Sequence, residues 1–178
     1  MNVELRPLSP SDVGALHTFF GSVPAEERTF FKEDVTDPGV AQRWVADERC
    51  VRRLAVDSDG RIVAFAGLHP GVGGSSHVAS VTLVVAGPAR RQGLGRSLAR
   101  QMLVEALRQG FRKVAVETAA DNVAAVQMFR NIGFEPEALL RDHFYGRDGG
   151  LHDIVILAHA VDDTWSTLLA GGIDEAVG

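Results

Sequence analysis

The alternation of apolar and polar positions predicts strands in the first half of the chain. Val51–Asp57 and Arg61–Leu68 are strand-like, and the turn residues Asp57 to Gly60 between them are typical of a hairpin. A further strand is predicted from Val78 to Val85. The elements predicted upstream are a short strand over 3–8, a helix that begins after Ser9 to Asp12, and a helix over 40–48.

Helical periodicity dominates the second half. Apolar residues recur three and four positions apart behind Leu94, and Gly110 stops the pattern, which predicts a helix from Leu94 to about Gln109. A second helix is predicted between the capping pair Asp121-Asn122 and Gly133. Strands are predicted over 112–118, within 134–145 and over 153–158, and a short terminal helix over 162–170.

This succession of strands and helices contains no repeat and no linker. It predicts a single mixed α/β domain over residues 1–160 with one central sheet, followed by a short C-terminal extension over 161–178. A chain of 178 residues is long enough to bury a core without disulfides. Cys50 is the only cysteine, so an internal disulfide or a thiolate metal cluster is not expected.

Composition narrows the possible partners and location. The net charge of −5 argues against a nucleic-acid-binding protein, which normally presents a basic face. No apolar run approaches the roughly 20 residues that span a bilayer, and the N-terminus lacks a signal-peptide pattern. We therefore expect a cytoplasmic protein that does not contact a membrane. The scattered histidines show no metal-ligand spacing beside a carboxylate, so no metal is expected.

The most informative segment is the turn between the strand 78–85 and the helix at Leu94. The first turn of a helix has backbone N–H groups without intrahelical partners, and the macrodipole is positive there. Gly93 and Gly95 carry no Cβ, so an anion can approach the main chain closely. The arginines around the turn are Arg90, Arg91 and Arg96. The sequence therefore predicts a pyrophosphate site.

The glycine turn has three other interpretations. A plain strand-to-helix connection also contains glycine, and one GxG alone is weak evidence. A dinucleotide-binding turn needs G-x-G-x-x-G, but Leu98 stands at its third glycine position. A nucleoside-triphosphate loop needs G-x-x-x-x-G-K-[ST], which is absent from this sequence.

Two motifs instead resemble the GNAT superfamily of acyl-CoA-dependent N-acetyltransferases. Arg90-Arg91-Gln92-Gly93-Leu94-Gly95 satisfies the pattern [RQ]-x-x-G-x-[GA]. The segment Asn122 to Phe134 is similar to a later signature of that family: an asparagine, a small residue three positions on, an aromatic four further, and then Gly-Phe. The two motifs follow each other in the family's order, each behind a predicted strand.

This resemblance implies a mostly antiparallel central sheet with helices on both faces and one parallel strand pair that splays apart. The splayed strands would be 81–85 and 113–118, and acetyl-CoA would bind between them as a co-substrate. The residues that the resemblance assigns to the coenzyme are Leu83, Val84, Val85, Arg90, Arg91, Gln92, Gly93, Leu94, Gly95, Arg96, Asn122 and Phe129. Core packing alone would also explain Phe129, and capping would explain Asn122.

The implied reaction moves an acetyl group to a primary amine by direct attack on the thioester. A backbone N–H near Leu83 to Val85 is the expected oxyanion donor. Many relatives have a tyrosine acid where this chain has Phe129, and some have a glutamate base near the position of Ser80. The side chains that could replace them are Tyr145 as an acid and Glu117 or His143 as a base. Each also has a structural interpretation, and ordered water could serve instead.

The acceptor is not specified by any motif. Loops 21–40, 69–77 and 142–151 are expected to shape its site. Phe19, Phe20, Phe30 and Phe31 could line an apolar pocket or pack, and Asp142, Asp148 and Asp153 could form a patch for a cationic acceptor. The partner is expected to be a small-molecule or peptide amine, with a possible homodimer through Trp165 and the terminal segment. The alternative function is a non-catalytic CoA-binding regulatory protein.

Overall fold

A computed structural model describes residues 2–28, 30–31, 33–146 and 149–161. The predicted terminal helix, the proposed interface residue Trp165 and Asp148 of the acidic patch lie outside these residues, as does nearly all of the predicted extension 161–178. Within these ranges the strands are β1 Val3–Pro7, β2 Val51–Asp57, β3 Ile62–Pro70, β4 Val78–Val85, β5 Lys113–Ala119, β6 Glu135–Tyr145 and β7 Leu151–Ala160. The helices are α1 Val13–Ser22, α2 Ala25–Arg28, α3 Val40–Ala46, α4 Leu94–Arg108 and α5 Val123–Arg130.

The strands form one seven-stranded sheet in the order β1-β2-β3-β4-β5-β7-β6. In the described part of the chain, β4 and β5 pair in parallel and the other neighbours pair antiparallel. The predicted fold class is therefore confirmed: a mixed α/β fold with a mostly antiparallel sheet and one parallel pair.

The parallel pair separates partway along its length. Its register runs from Val78 opposite Lys113 to Val81 opposite Val116, and both strands continue beyond the last pair. On its other side, β4 stays paired with β3 up to Val85. The sheet consequently opens between β4 and β5 while β4 remains anchored, as the predicted splay requires.

Helices α4 and α5 cover one face of the sheet, which we call the α4 face. The apolar stripe of α4 meets the sheet through aliphatic side chains that are not β-branched: Leu98, Ala99, Met102, Leu103 and Ala106 are all buried there. The helix ends as predicted at Gly110, whose positive φ of 76° favours glycine, and Phe111 donates to the Ala106 carbonyl beyond it. A long, strongly periodic helix thus matches its sequence-based prediction closely.

Helices α1 and α3 cover the opposite face, which we call the α1 face. Aromatic side chains dominate its core: Phe19, Phe20, Phe65 and Trp44 are buried together. The Phe20 ring makes edge contacts with both Trp44 and Phe65 at centroid distances of 5.7 and 5.4 Å. Phe19 and Phe20 therefore pack in the core, which decides between the two roles considered for them.

Two charged groups fasten α1 to the sheet. Asp12 accepts hydrogen bonds from the backbone N–H and the hydroxyl of Ser9 at 2.8 and 2.7 Å, which confirms the predicted helix start. The guanidinium of Arg6 on β1 reaches the same carboxylate at 2.6 Å. These contacts lower the pKa of Asp12 to about 2, with the Arg6 bond as the largest cause.

The differences from the predicted elements are at their ends. Strand β7 is longer than the predicted 153–158 because it pairs with β5 on one side and β6 on the other. Its central position also explains its mixed burial, with Ile154, Leu157 and His159 buried. Strand β3 extends through Pro70 into the predicted loop, where it pairs with Ala79. Among the described helices, none combines the length and the apolar composition needed to cross a membrane.

Candidate active site

A cavity of about 1220 Å³ passes through the opening between β4 and β5. Its walls come from β4, β5, the turn before α4, α5, and the segment between α2 and α3 on the α1 face. The predicted coenzyme residues line it, with the exception of Gln92. The side-chain amide of Gln92 instead approaches the Pro88 carbonyl at 3.4 Å.

The described main-chain amides in the turn before α4 take no part in the hydrogen bonds of the sheet. The first helical bond runs from Ser97 N–H to the Gly93 carbonyl at 3.0 Å. The amides of Leu94, Gly95 and Arg96 therefore precede the first intrahelical donor. Among the backbone hydrogen bonds found in the described residues outside helices and strands, none has a donor between Arg91 and Arg96. The turn keeps these donors available for an anion.

The backbone of this turn needs glycine at one position for its conformation. Gly93 has a φ of 81° and Arg91 a φ of 61°, so two residues of the turn lie in the left-handed region. Gly95 is helical, and the absence of a side chain there matters for packing rather than for backbone conformation. A Cβ there would lie 3.6 Å from side-chain atoms of Leu83 and Val85. The helix start consequently packs closely on the end of β4, beside the opening.

The arginines around the turn are not equivalent. Arg90 donates from Nε to the Val85 carbonyl at 2.9 Å and forms an ion pair with Glu27 of α2. Arg91 and Arg96 are exposed at the cavity wall. The positive charge predicted at this end is therefore present, but Arg90 is already bound to two protein groups.

The edge of β4 offers main-chain groups to the opening. Ala86 N–H bonds to the Val63 carbonyl at 2.9 Å. In an antiparallel pair the residues alternate in the direction of their hydrogen bonds. The N–H and carbonyl groups of Leu83 and Val85 therefore point away from β3 and towards the region where β5 has diverged.

Helix α5 forms the wall opposite the phosphate turn. Asn122 caps it, because its side-chain oxygen accepts from Ala125 N–H at 3.2 Å. Ala125 and Met128, which periodicity predicts as core, are half-buried because they face the cavity. Phe129 is buried against Phe134 with its ring edge-on at 5.2 Å, and it also borders the cavity.

The structure brings only one of the three candidate catalytic side chains into the cavity. Glu117 on β5 lines it, beside the opening. His143 and Tyr145 flank Phe144, which lines the cavity, and neighbouring residues of a strand point to opposite faces. Tyr145 is 73% exposed. Neither His143 nor Tyr145 contributes to the cavity lining, so the geometry favours Glu117 among the three, and the catalytic roles stay predictions.

Strand register shows which polar groups share a face with Glu117. Ser80 lies opposite Ala115 across the parallel pair, and His69 lies opposite Ser80 across β3 and β4. Because side chains alternate along a strand, Thr82 and Glu117 lie on the same face as Ser80 and Ala115, one on each side of the opening. His69 Nε2 is 2.9 Å from Thr82 Oγ1.

Several cavity residues on the α1 face belong to no recognisable sequence motif. The aromatic wall consists of Phe30, Phe31, Trp44 and Phe144, and Phe30 contacts Phe144 at a centroid distance of 5.6 Å. Of the four phenylalanines considered for an acceptor pocket, Phe30 and Phe31 therefore line the cavity. The four residues of the aromatic wall come from three separate segments, so strand pairing and the α2–α3 connection were needed to reveal their proximity.

Carboxylates accompany this aromatic wall. Glu33 accepts from the Trp44 indole N–H at 2.8 Å, and Glu117 and Asp121 also line the cavity. Glu27 lines it as well, but it pairs with Arg90 at the phosphate turn. His152 lies 3.6 Å from Asp121. The cavity is thus positive at the phosphate turn and rich in carboxylates on the α1 face. Opposite charges at its two ends suit an anionic ligand at one end and a cationic group at the other.

Asp142 and Asp153 of the predicted acidic patch do not line this cavity. Asp153 accepts from the Asp142 N–H at 2.9 Å, where Asp142 has a positive φ of 51° at an irregularity in β6. That contact supports the local backbone. Within the described residues, no group of three or more histidine, cysteine, aspartate or glutamate side chains could hold a metal ion.

Comparison with known proteins agrees with this geometry. Residues 19–134 match the model of the Acetyltransferase (GNAT) family. A GCN5-related N-acetyltransferase from Kribbella flavida superposes with a TM-score of 0.77 at 24% identity, covering 89% of this chain and 97% of that one. At that identity the likeness shows the fold alone.

Two curated relatives are similar over shorter segments. The chain is 35% identical to the ribosomal protein bS18-alanine N-acetyltransferase of Escherichia coli (strain K12) over 39% of this chain and 46% of that protein. It is 38% identical to a mycothiol acetyltransferase of Arthrobacter sp. (strain FB24) over 46% of this chain and 26% of that protein. The chain thus spans less than half the length of these curated relatives.

Proposed function

Because the chain belongs to the Acetyltransferase (GNAT) family, we propose that it transfers an acetyl group from acetyl-CoA to a primary amine. The family generally uses acetyl-CoA as its co-substrate. The observation that carries the proposal is the coincidence of an open β4–β5 splay with unpaired helix-start amides at its end. We assign the acetyltransferase domain to residues 1–160.

The cavity fits the coenzyme that the family implies. The amides of residues 92–96 would hold the pyrophosphate, with Arg91 and Arg96 as the nearby charges and Arg90 as a support for the turn. The main chain of Leu83 and the N–H of Val85 would pair with the amide groups of the coenzyme's arm, as an added strand does, while the Val85 carbonyl already accepts from Arg90. Asn122 and Phe129 would border that arm near its thiol end.

Glu117 is the group that we propose for handling the acceptor's charge. An alkylammonium titrates near 10.4, so the amine must lose a proton before it can attack. A carboxylate beside the opening attracts the ammonium group and offers a route for that proton, directly or through water. Holding the nitrogen next to the thioester carbon also contributes through proximity.

The oxyanion that develops during acyl transfer needs a donor that is already oriented. The amides of Leu83 and Val85 point into the opening by strand alternation, so they require no specialised side chain. A donor of this kind can lower the barrier by roughly 3–4 kcal/mol. Phe129 cannot protonate the departing sulfur, so water or another side chain would do so.

The acceptor site would lie on the α1 face. The aromatic wall of Phe30, Phe31, Trp44 and Phe144 suits the apolar part of an amine, and the carboxylates suit its positive charge. A peptide N-terminus and a small-molecule amine both meet this description, in line with the two kinds of curated relative. A homodimer and a cytoplasmic location remain part of the proposal.

An amine screen tests the function. The protein would be incubated with acetyl-CoA and with peptide N-termini, lysine peptides, amino acids, polyamines and aminoglycosides, and both thiol release and product mass would be read. Thiol release that depends on one amine class, with a matching mass increase, supports the transferase. Binding of acetyl-CoA without transfer to any class would instead favour the non-catalytic CoA-binding regulator.

A further inference from the structure

The His69–Thr82 pair stands out among the groups that the proposed mechanism does not use. Both side chains line the cavity, and they are joined by the 2.9 Å contact between His69 Nε2 and Thr82 Oγ1. Thr82 comes directly after the last residue of β4 that pairs with β5. The hydroxyl therefore lies where β4 and β5 begin to separate, and the imidazole lies next to it on β3.

The lack of a side chain at Gly67 leaves room for this pair. Gly67 lies opposite Thr82 on β3. A Cβ at Gly67 would lie 2.7 Å from His69 Nε2 and 3.1 Å from Thr82 Oγ1. Both distances are tighter than ordinary contacts, so any side chain at residue 67 would displace the imidazole. Glycine at this position keeps the ring against the hydroxyl.

The surroundings keep the imidazole in its neutral, proton-accepting form. Burial is the largest cause that lowers the pKa of His69, and the positive charge of Arg52 on β2 acts in the same direction. Asp47 and Glu33, from the segments that flank α3, oppose this shift. Arg52 is itself fixed by the Trp44 carbonyl at 2.9 Å, so its charge stays beside the ring.

We propose that Thr82 and His69 form a proton relay for the acyl transfer, an inference that rests on the proposed function. As the amine nitrogen bonds to the acyl carbon, its proton passes to Thr82 Oγ1, and the hydroxyl proton passes to His69 Nε2. The C–S bond breaks with its electron pair on sulfur. The resulting thiolate takes a proton from solvent, and the imidazolium returns one to solvent.

The relay requires one tautomer of His69. Thr82 donates to Nε2 only when that nitrogen carries no hydrogen, so Nδ1 bears the ring proton. Thr82 is the member that contacts the acceptor nitrogen, and His69 acts through it. Glu117 lies across the opening on the same sheet face, so the ammonium and the relay would meet the acceptor from two sides.

The kinetic test uses the amine found in the screen. His69→Gln retains a hydrogen-bonding side chain without a titrating base, and we expect kcat to fall about 100-fold, the lower range for a lost acid–base group. Thr82→Val should lose a similar factor, and Thr82→Ser should restore most of it. His77→Gln is the matched control, because His77 is exposed and outside the cavity.

A pH profile separates the relay from a structural role. The imidazole of His69 would be titrated by NMR, and kcat/KM of the wild type should lose activity as pH falls through the same value. In His69→Gln that inflection should disappear, while acetyl-CoA affinity stays within twofold. Full activity in His69→Gln, or a loss of activity with an unchanged profile, would overturn the relay.

Gly67→Ala provides a second variant that removes no titrating group. The added methyl meets the end of a side chain rather than backbone, so the protein should still fold while the imidazole moves. We expect kcat to fall at least tenfold with acetyl-CoA affinity retained. Unchanged kcat would contradict the proposed geometry. A wild type that binds acetyl-CoA but acetylates no amine would instead refute the proposed function itself.

Discussion

The two faces of the sheet contribute to the cavity in different ways. On the α4 face, the groups proposed to bind the coenzyme come from contiguous segments and are mainly backbone amides, as in the turn from Gln92 to Arg96. On the α1 face, the lining consists of side chains brought together from distant segments, such as Phe31, His69 and Phe144. The coenzyme end is therefore a local property of the sequence, and the acceptor end is a property of the tertiary structure.

The largest expected effect concerns the acceptor end. Glu117→Gln keeps the shape of the side chain and removes its charge, so kcat/KM should fall by about 100-fold or more. Acetyl-CoA affinity, measured by calorimetry, should change little because the phosphate turn is untouched. Glu137→Gln is the control, since Glu137 is an exposed carboxylate that pairs with Lys113. Equal activity in the two variants would end the role assigned to Glu117.

The second effect concerns the stability of the α1 face, where Asp12 fastens α1 to the sheet. Asp12→Asn should reduce the free energy of unfolding at pH 7 by about 2 kcal/mol, because the folded-state pKa of Asp12 lies near 2 against an ordinary 3.8. A lowered carboxyl pKa stabilises the fold above the ordinary value, and this contribution is lost as pH falls from about 4 to about 2.

Urea unfolding across that range measures the effect of Asp12. The difference between wild type and Asp12→Asn should shrink steadily as the pH falls from about 4 to about 2, where the folded Asp12 also becomes uncharged. Acetyl-CoA affinity at pH 7 should stay the same, because Asp12 fastens α1 and not the phosphate turn. A stability difference that does not depend on pH would show that the Arg6–Asp12 contact lacks the expected electrostatic role.

A third effect concerns the coenzyme end alone. Gly93→Ala places a Cβ on a left-handed residue, at a cost of about 1–2 kcal/mol. If the free turn relaxes to avoid that strain, acetyl-CoA must restore it, and the dissociation constant should rise about 5- to 30-fold. Gly110→Ala imposes the same strain at the far end of α4. Similar affinities in the two variants would contradict the phosphate placement.

The smallest effect distinguishes the arginines. Arg91→Gln should weaken acetyl-CoA binding by up to about fivefold at low salt, and less at high salt, because its charge is exposed. Arg90→Gln should weaken it less, since Arg90 is already engaged by Glu27 and the Val85 carbonyl. Binding curves at two salt concentrations test this order, and a larger effect for Arg90 would reverse the interpretation.

How much the sequence predicts also differs between the coenzyme end and the acceptor end of the cavity. Helix α4, its stop at Gly110 and the cap at Asn122 depend on near neighbours, and the pattern predicted each of them. The parallel pairing of β4 with β5 was inferred from a family resemblance, because register depends on contacts far apart in sequence. His69 was missed because a lone histidine at a strand end carries no signal until β4 places Thr82 beside it.

Tyr145 and His143 illustrate the opposite case. Both carry suitable chemistry close to the predicted acceptor loops, yet strand alternation directs Phe144 into the cavity in their place. Chemical type was visible in the sequence, but the face on which a side chain lies depends on a register that contains an irregularity between Leu140 and Phe144.

We propose above all that the main-chain amides of residues 92–96 bind the pyrophosphate of acetyl-CoA. The most direct measurement is an amide-resolved NMR titration of the full chain with acetyl-CoA, repeated with a CoA analogue that lacks the acetyl group. Both ligands should produce their largest shifts at these amides, with further shifts at Leu83 and Val85. Saturable binding that leaves these amides unchanged would contradict it.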